Sequence, residues 1–294
     1  MRGDNCKLLS LDRGGYLAHA EYGYPAGLPV FFFHGWPSSR TMAELTDADA
    51  RNLGVRIISP DRPGICDSTF QPKRKLLDWP DILKQLADHL QIERFHILAI
   101  SGGAPYAYAT AWKMPERVRA MAVVSGAPPI AELQDRQDLL GLYRLMLRCY
   151  GKYPRFSRTC FYLVRPFLSL RPPQGAHPLL LKLLWLRPSD AAALRDSAAF
   201  EACFESQRRA WRASAAGVLA DAEIYAQLWG FALEDVDVPV RLWHGEQDRA
   251  FSIRTAEKVA KRLPNCATRF IKDEGHYSTP IRHMREILVD LIAL

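Results

Sequence analysis

Short apolar runs alternate along this chain with longer stretches whose apolar residues recur every three or four positions. "YLAHAEYG" (16–23) alternates apolar and polar residues and predicts a half-buried strand. "PVFFFHG" (29–35), "VRIISPD" (55–61), "RFHILAIS" (94–101) and "RVRAMAVVSG" (117–126) are nearly continuous in apolar residues, as strands buried on both faces are. Between them, "TMAELTDADARNLG" (41–54) predicts a helix ended by Gly54. "LDWPDILKQLADHLQI" (77–92) predicts an amphipathic helix that tolerates Pro80 in its first turn. The segment after Ser101 also reads as helical. The alternation stops near Pro128, and helical pattern continues to Val236 without a convincing strand. It resumes with strand "PVRLWHG" (239–245), helix "SIRTAEKVAKRLP" (252–264), strand "TRFIKDEG" (268–275) and helix "TPIRHMREILVDLIAL" (279–294). The expected architecture is α/β: a mainly parallel sheet with helices on both faces. Residues 1–127 and 237–294 form its core domain, and residues 128–236 form a helical cap inserted after the sixth strand.

Composition changes this picture little. With 294 residues, 48% of them apolar, the chain can bury a large core. It has no uncharged apolar run of eighteen residues, so no integral membrane segment is expected. The charged start "MRGDNCKLLSLDRGG" lacks the apolar stretch and cleavage site of a signal peptide, and a cytoplasmic protein is expected. Cysteines 6, 66, 149, 160, 203 and 266 have neither metal-ligand nor CxxC spacing, so no metal is expected. The formal charge of +7 is not gathered into one short block, and no nucleic-acid-binding motif occurs. One local bias does matter. From Leu139 to Ser189 there are nine Lys or Arg and no Asp or Glu, amid "FYLVRPFLSLRPP" and "HPLLLKLLWLRP". The plain reading is a cap with a basic outer face. The sharper one is attraction for an anionic, apolar partner, including peripheral contact with anionic lipid.

Candidate chemistry begins at "HILAISGGAPYAYATAW" (96–112), where a buried strand ends in Ser101 and two glycines. A glycine-rich turn before a helix can bind phosphate. Here the GxGxxG spacing is missing, no Lys-Ser/Thr pair follows, and the next strand ends in "VVSGAPP" without an acid placed for a ribose. Ala99-Ile100-Ser101-Gly102-Gly103 instead fits a nucleophile elbow, small-x-Ser-x-small, in which the sharp turn excludes large side chains two before and two after the serine. A serine hydroxyl needs a base and the base needs an orienting carboxylate. In this architecture they follow in the order Ser, acid, His. Asp248 follows "PVRLWHG" in "EQDRAFS", with Glu246 as the rival acid, and His276 follows "TRFIKDEG" in "DEGHYS". Asp273 and Glu274 read as loop-solvating residues. The oxyanion donors expected are the backbone N–H groups of Gly102 and of Trp36, the latter in "FFFHGWPSS" after an early strand. His34 reads as a buried hydrogen-bonding residue rather than a base.

These segments together resemble the α/β-hydrolase superfamily. "HGWPSS" looks like its oxyanion loop, "PDRPGICDS" like its D-R-P-G-x-G-x-S segment, "ISGGAPYA" like its elbow, and "WHGEQD" and "EGHYS" like its acid and histidine segments. Cys66 stands where that family usually has glycine. The resemblance implies an eight-stranded, mostly parallel sheet, no cofactor, and a cap over the active site from about Pro128. The expected reaction is cleavage of a small to medium carboxylic ester or thioester through an acyl-enzyme. The expected partner is a small-molecule acyl substrate. A slow-turnover ligand-binding sensor, a C–C hydrolase, a perhydrolase or an acyltransferase with the same residues is the alternative. Phe156, Phe161, Tyr162, Phe167 and Trp185 are candidates to line the acyl site.

Overall fold

A computed structural model describes residues 5–133, 136–171, 173, 175–183 and 186–294, with the side chain of Leu183 left out. Eight strands form one sheet: β1 (Lys7–Ser10), β2 (Tyr16–Gly23), β3 (Leu28–Phe33), β4 (Val55–Pro60), β5 (Phe95–Ile100), β6 (Val118–Val124), β7 (Val240–Gly245) and β8 (Cys266–Ile271). Their spatial order is β1-β2-β4-β3-β5-β6-β7-β8. The pairs involving β1 and β2 are antiparallel, and all others are parallel. Each segment read above as a strand overlaps one strand, though β8 begins two residues before "TRFIKDEG" and ends at Ile271, where the turn toward His276 begins. The eighth, β1, is a four-residue edge strand with only Leu9 buried, too short to register as a pattern.

Eleven α-helices are found among the described residues. α1 (Asp47–Asn52), α2 (Trp79–His89) and α3 (Ala104–Lys113) link the early strands, and α10 (Ile253–Arg262) and α11 (Ser278–Ile292) the last ones. Between β6 and β7 the chain forms α4 (Gly141–Lys152), α5 (Pro154–Ser169), α6 (His177–Leu183), α7 (Pro188–Ala193), α8 (Ser197–Ala213) and α9 (Ala215–Tyr225). The helix expected over 41–54 is shorter than its pattern. Residues Arg40–Thr46 coil as a 3-10 helix, and only then does α1 begin.

The strand period of two decides which core each side chain joins. Phe31, Phe33, Ile97 and Ala99 face a cluster that includes Leu83 and Leu86 of α2 and Ala107 of α3. Val30, Phe32, Leu98 and Ile100 face the opposite cluster, with Met284, Ile287 and Leu291 of α11. Both faces are dry, which explains the nearly unbroken apolar sequence of β3 and β5. A third cluster packs Ala210, Trp211, Ala215 and Val218 of α8 and α9 onto Ile65, in the loop after β4. At its edge Gly217 touches Gly64 so closely that a Cβ on Gly217 would lie 2.1 Å from the Gly64 carbonyl oxygen.

Candidate active site

The strand order brings distant loops together at the carboxyl edge of the sheet. β3 and β5 are neighbours, so the chain after Phe33 and the chain after Ile100 leave side by side, at the point where strand order reverses. β7 and β8 are also neighbours and deliver Asp248 and His276.

Ser101 turns the chain from β5 toward α3 with φ +53°. That left-handed conformation costs a non-glycine residue about 1–3 kcal/mol unless the surroundings impose it. Here they do. A Cβ at Gly103 would lie 2.2 Å from the carbonyl oxygen of Phe33, and one at Gly102 would lie 2.8 Å from the Trp36 Cβ and 3.1 Å from the Trp36 nitrogen. The small residues of the elbow therefore answer to β3 and the loop after it. Cys66 shows the same logic. Its φ of +46° is the conformation that glycine would adopt there.

Ser101, His276 and Asp248 meet in a chain of hydrogen bonds. Ser101 Oγ lies 3.0 Å from His276 Nε2, and His276 Nδ1 lies 2.8 Å from Asp248 Oδ2. An ionised carboxylate can only accept, so Nδ1 carries the proton and Nε2 is left free to accept from the hydroxyl. The other oxygen, Oδ1, accepts the backbone N–H groups of Ala250 (2.7 Å) and Phe251 (3.1 Å). Burial opposes the charge on Asp248, but the His276 imidazole and its hydrogen bond, then His244 and the Phe251 N–H, outweigh it and hold its pKa below the ordinary value. Burial likewise opposes a charged His276. The Asp248 carboxylate, its hydrogen bond and the Asp190 carboxylate reverse that and raise its pKa. Glu246, the rival acid, is exposed. His34 is fully buried, with Nδ1 3.0 Å from the Gly35 carbonyl, and burial pushes its pKa well down. Among the two acids before His276, Asp273 is exposed as read. Glu274 is not. It is buried and accepts from Arg282 Nη1 at 3.0 Å, because the chain folds it back under α11.

Sequence reasoning passed over two carboxylates from the helices between β6 and β7. Asp221 on α9 is fully buried and accepts from Arg62 Nε (2.8 Å), the Tyr106 hydroxyl (2.7 Å) and Arg74. Arg62 also donates to the carbonyls of His34 (2.7 Å) and Gly35 (2.8 Å), so this network fixes the loop that carries Trp36. The same helix accepts the Trp36 indole N–H at Val218 O (2.8 Å), and its Tyr225 hydroxyl donates to Gly102 O (2.8 Å). Asp190 on α7 accepts the backbone N–H groups of His276 (3.2 Å), Tyr277 (2.9 Å) and Ser278 (2.8 Å). The one sequence signal for Asp190 is its place as the first acid after the acid-free stretch from Leu139 to Ser189.

Ser101 separates two cavities. The larger, about 250 Å³, is lined by Trp36 and Gly102 and by apolar side chains including Leu147, Phe161, Leu219 and Phe251. Glu223 is the one charged residue on its described wall, and Arg158 pairs with it at 2.7 Å. The smaller, about 30 Å³, lies on the His276 side with Ser38, Gln207 and Tyr277 around it. Of the aromatic candidates, Phe156 and Phe161 line the larger cavity. Tyr162 and Phe167 point to solvent instead, and Trp185 lies outside the described residues.

A sequence model of the α/β hydrolase fold matches residues 29–279. The chain belongs to the α/β hydrolase fold family. An uncharacterized hydrolase, YcgS of Bacillus subtilis (strain 168), is 33% identical over 112 residues, which are 38% of this chain and 38% of that protein. Among solved structures, bromoperoxidase from Bacillus anthracis superposes with a TM-score of 0.74 at 18% identity, over 98% of this chain and 100% of that one. A thermophilic esterase from Thermogutta terrifontis gives 0.70 at 19% identity, over 99% and 98%. At such identities these structures establish the shared fold, not a shared substrate.

Proposed function

We propose that this α/β hydrolase is a serine carboxylesterase that cleaves small to medium apolar acyl esters or thioesters through an acyl-enzyme. The observation that carries the proposal is the hydrogen-bonded run Ser101–His276–Asp248 at the floor of an apolar cavity. In this reading Ser101 Oγ attacks the carbonyl carbon as its proton passes to His276 Nε2. Asp248 orients the imidazole and stabilises its cationic form. The oxyanion is held by the N–H groups of Trp36 and Gly102, whose backbones meet beside the serine. Collapse breaks the bond to the leaving oxygen or sulfur, which takes the proton from Nε2. Water then gives a proton to Nε2 and its oxygen attacks the acyl carbon, and Ser101 leaves with that proton restored.

The two cavities support a division of labour: the acyl chain in the larger, the water and the start of the leaving group on the His276 side. Residues 128–236 act as a cap, supplying Leu147, Phe161 and Leu219 to the acyl wall. No disulfide joins the described cysteines, which suits a reducing, cytoplasmic setting.

The test is hydrolysis of p-nitrophenyl esters of rising chain length by the wild type and Ser101→Ala. Turnover should pass through a maximum at short to medium chains and fall by at least about 10⁴-fold in the variant. Wild-type turnover no faster than Ser101→Ala, in folded protein, would leave the ligand-binding reading in its place.

A further inference from the structure

We propose that the outer face of α4 and α5 docks onto an anionic lipid surface, with the mouth of the acyl cavity opening onto it. α5 turns a stripe of large apolar side chains to solvent: Phe156 is 64% exposed, Leu163 65% and Phe167 76%, and Leu170, just past its end, is 67% exposed. The helical period places Phe156, Leu163 and Phe167 on one side of the helix. Isolated exposed leucines are ordinary, but a contiguous stripe of this kind marks an interaction surface. On α4, Arg144, Arg148 and Lys152 follow one another at four-residue intervals and are exposed. Together with Arg155 they pair with no carboxylate among the described residues. Among the described residues, the acids that pair with cations of this region come from α8 and α9, where Glu201 and Glu223 meet Arg171 and Arg158.

Two observations select the occupant. An apolar stripe flanked by uncompensated cations matches an interface of acyl chains and anionic headgroups. A second copy docked by two-fold symmetry would bring these cations against themselves. Leu145 and Phe156 are exposed and also line the acyl cavity, so the mouth lies on this same face. The docking stands on its own. Only the use of the mouth for substrate entry rests on the function proposed above.

Flotation of Ser101→Ala protein with vesicles reads docking without turnover. The probes are phosphatidylcholine vesicles with and without about one third phosphatidylglycerol. Binding should need the anionic lipid and weaken with salt. It should fall on the order of 100-fold in Arg144→Gln/Arg148→Gln/Lys152→Gln, and also be lost in Phe167→Glu, whose side chain is already in water and whose fold should be intact. Failure to bind anionic vesicles would overturn the proposal. So would a wild-type dimer that Phe167→Glu separates, which would assign the face to a second copy.

A different observation carries a second inference. The geometry points to Asp190 as a positioning residue for His276. Its carboxylate takes three consecutive N–H groups at the start of α11 and leaves no room for a side chain at Gly275, where a Cβ would lie 2.5 Å from either oxygen. The loop is thereby locked from the α7 side, while Asp248 holds the ring from the β7 side. The titratable groups facing this histidine are Asp248 and His244 from β7 and its following loop, Tyr277 beside it and Asp190 from α7.

Titration of His276 by NMR in the wild type, Asp190→Asn and Asp190→Ser separates positioning from simple packing. Loss of this charge should lower the His276 pKa in both variants. It should also cut the rate of fluorophosphonate labelling at Ser101 by about tenfold or more at neutral pH, since a displaced base is costly. Two folded variants with a wild-type His276 titration would refute the role. The titration reads it even if the chain proves not to be an esterase.

Discussion

At the scale of single residues, the account rests on which nitrogen of His276 is free. Asp248 accepts from Nδ1, which leaves Nε2 facing Ser101. Asp248→Asn preserves the shape but allows the wrong tautomer. It should lower kcat on the order of 10⁴-fold with little change in the folded state, a result that steady-state kinetics and a melting curve check together. The pH dependence follows from the raised pKa of His276. The base works only when neutral, so activity should rise with pH through a midpoint above the ordinary histidine value of about 6.5. An acidic limb centred below that value would mean that burial outweighs the carboxylates.

Among elements, the helices between β6 and β7 divide by how they are attached. α9 is built into the core by buried charge. Asp221→Ala would leave Arg62 and Arg74 facing each other in a dry interior and release the clamp on the His34 and Gly35 carbonyls. A loss of about 3–5 kcal/mol is expected in chemical denaturation. Gly217→Val should also destabilise, because its Cβ would strike the Gly64 carbonyl. By contrast, α4 and α5 expose most of their surface and form the outer wall of the cavity. The limits of the sequence reading fall along the same division. Strands buried on both faces announced themselves, and so did the serine and acid segments that follow such strands, while the histidine segment was legible from its place after the last strand, β8, which is half exposed. Asp221 and Arg62 are 159 residues apart, and no local pattern joins them. Glu274 looked solvated for the same reason: its partner Arg282 lies across a turn that the sequence did not specify.

For the whole molecule, the sheet gathers residues from four loops, while the helices between β6 and β7 supply both the wall of the apolar cavity and the contacts that hold those loops. Stability and site geometry should therefore fail together in acid. The folded pKa of Asp221 lies at about 2 against an ordinary 3.8; burial raises it, and Arg62 and Arg74 more than reverse the effect. A depressed folded value stabilises the native state fully above about pH 4 and loses that contribution as pH falls toward the folded pKa. Unfolding curves between these limits should show this loss in the wild type and less of it in Asp221→Asn. Filling the cavity tests the acyl assignment. Leu219→Trp should raise KM for longer acyl chains more than for acetyl esters. The most direct test of the central claim needs no knowledge of the natural substrate. Folded protein is treated with a fluorophosphonate and the adduct located by mass spectrometry, beside Ser101→Ala and His276→Ala. The account predicts one adduct, on Ser101, absent from the first variant and formed orders of magnitude more slowly in the second. A wild type that stays unlabelled, or is labelled elsewhere, would contradict it.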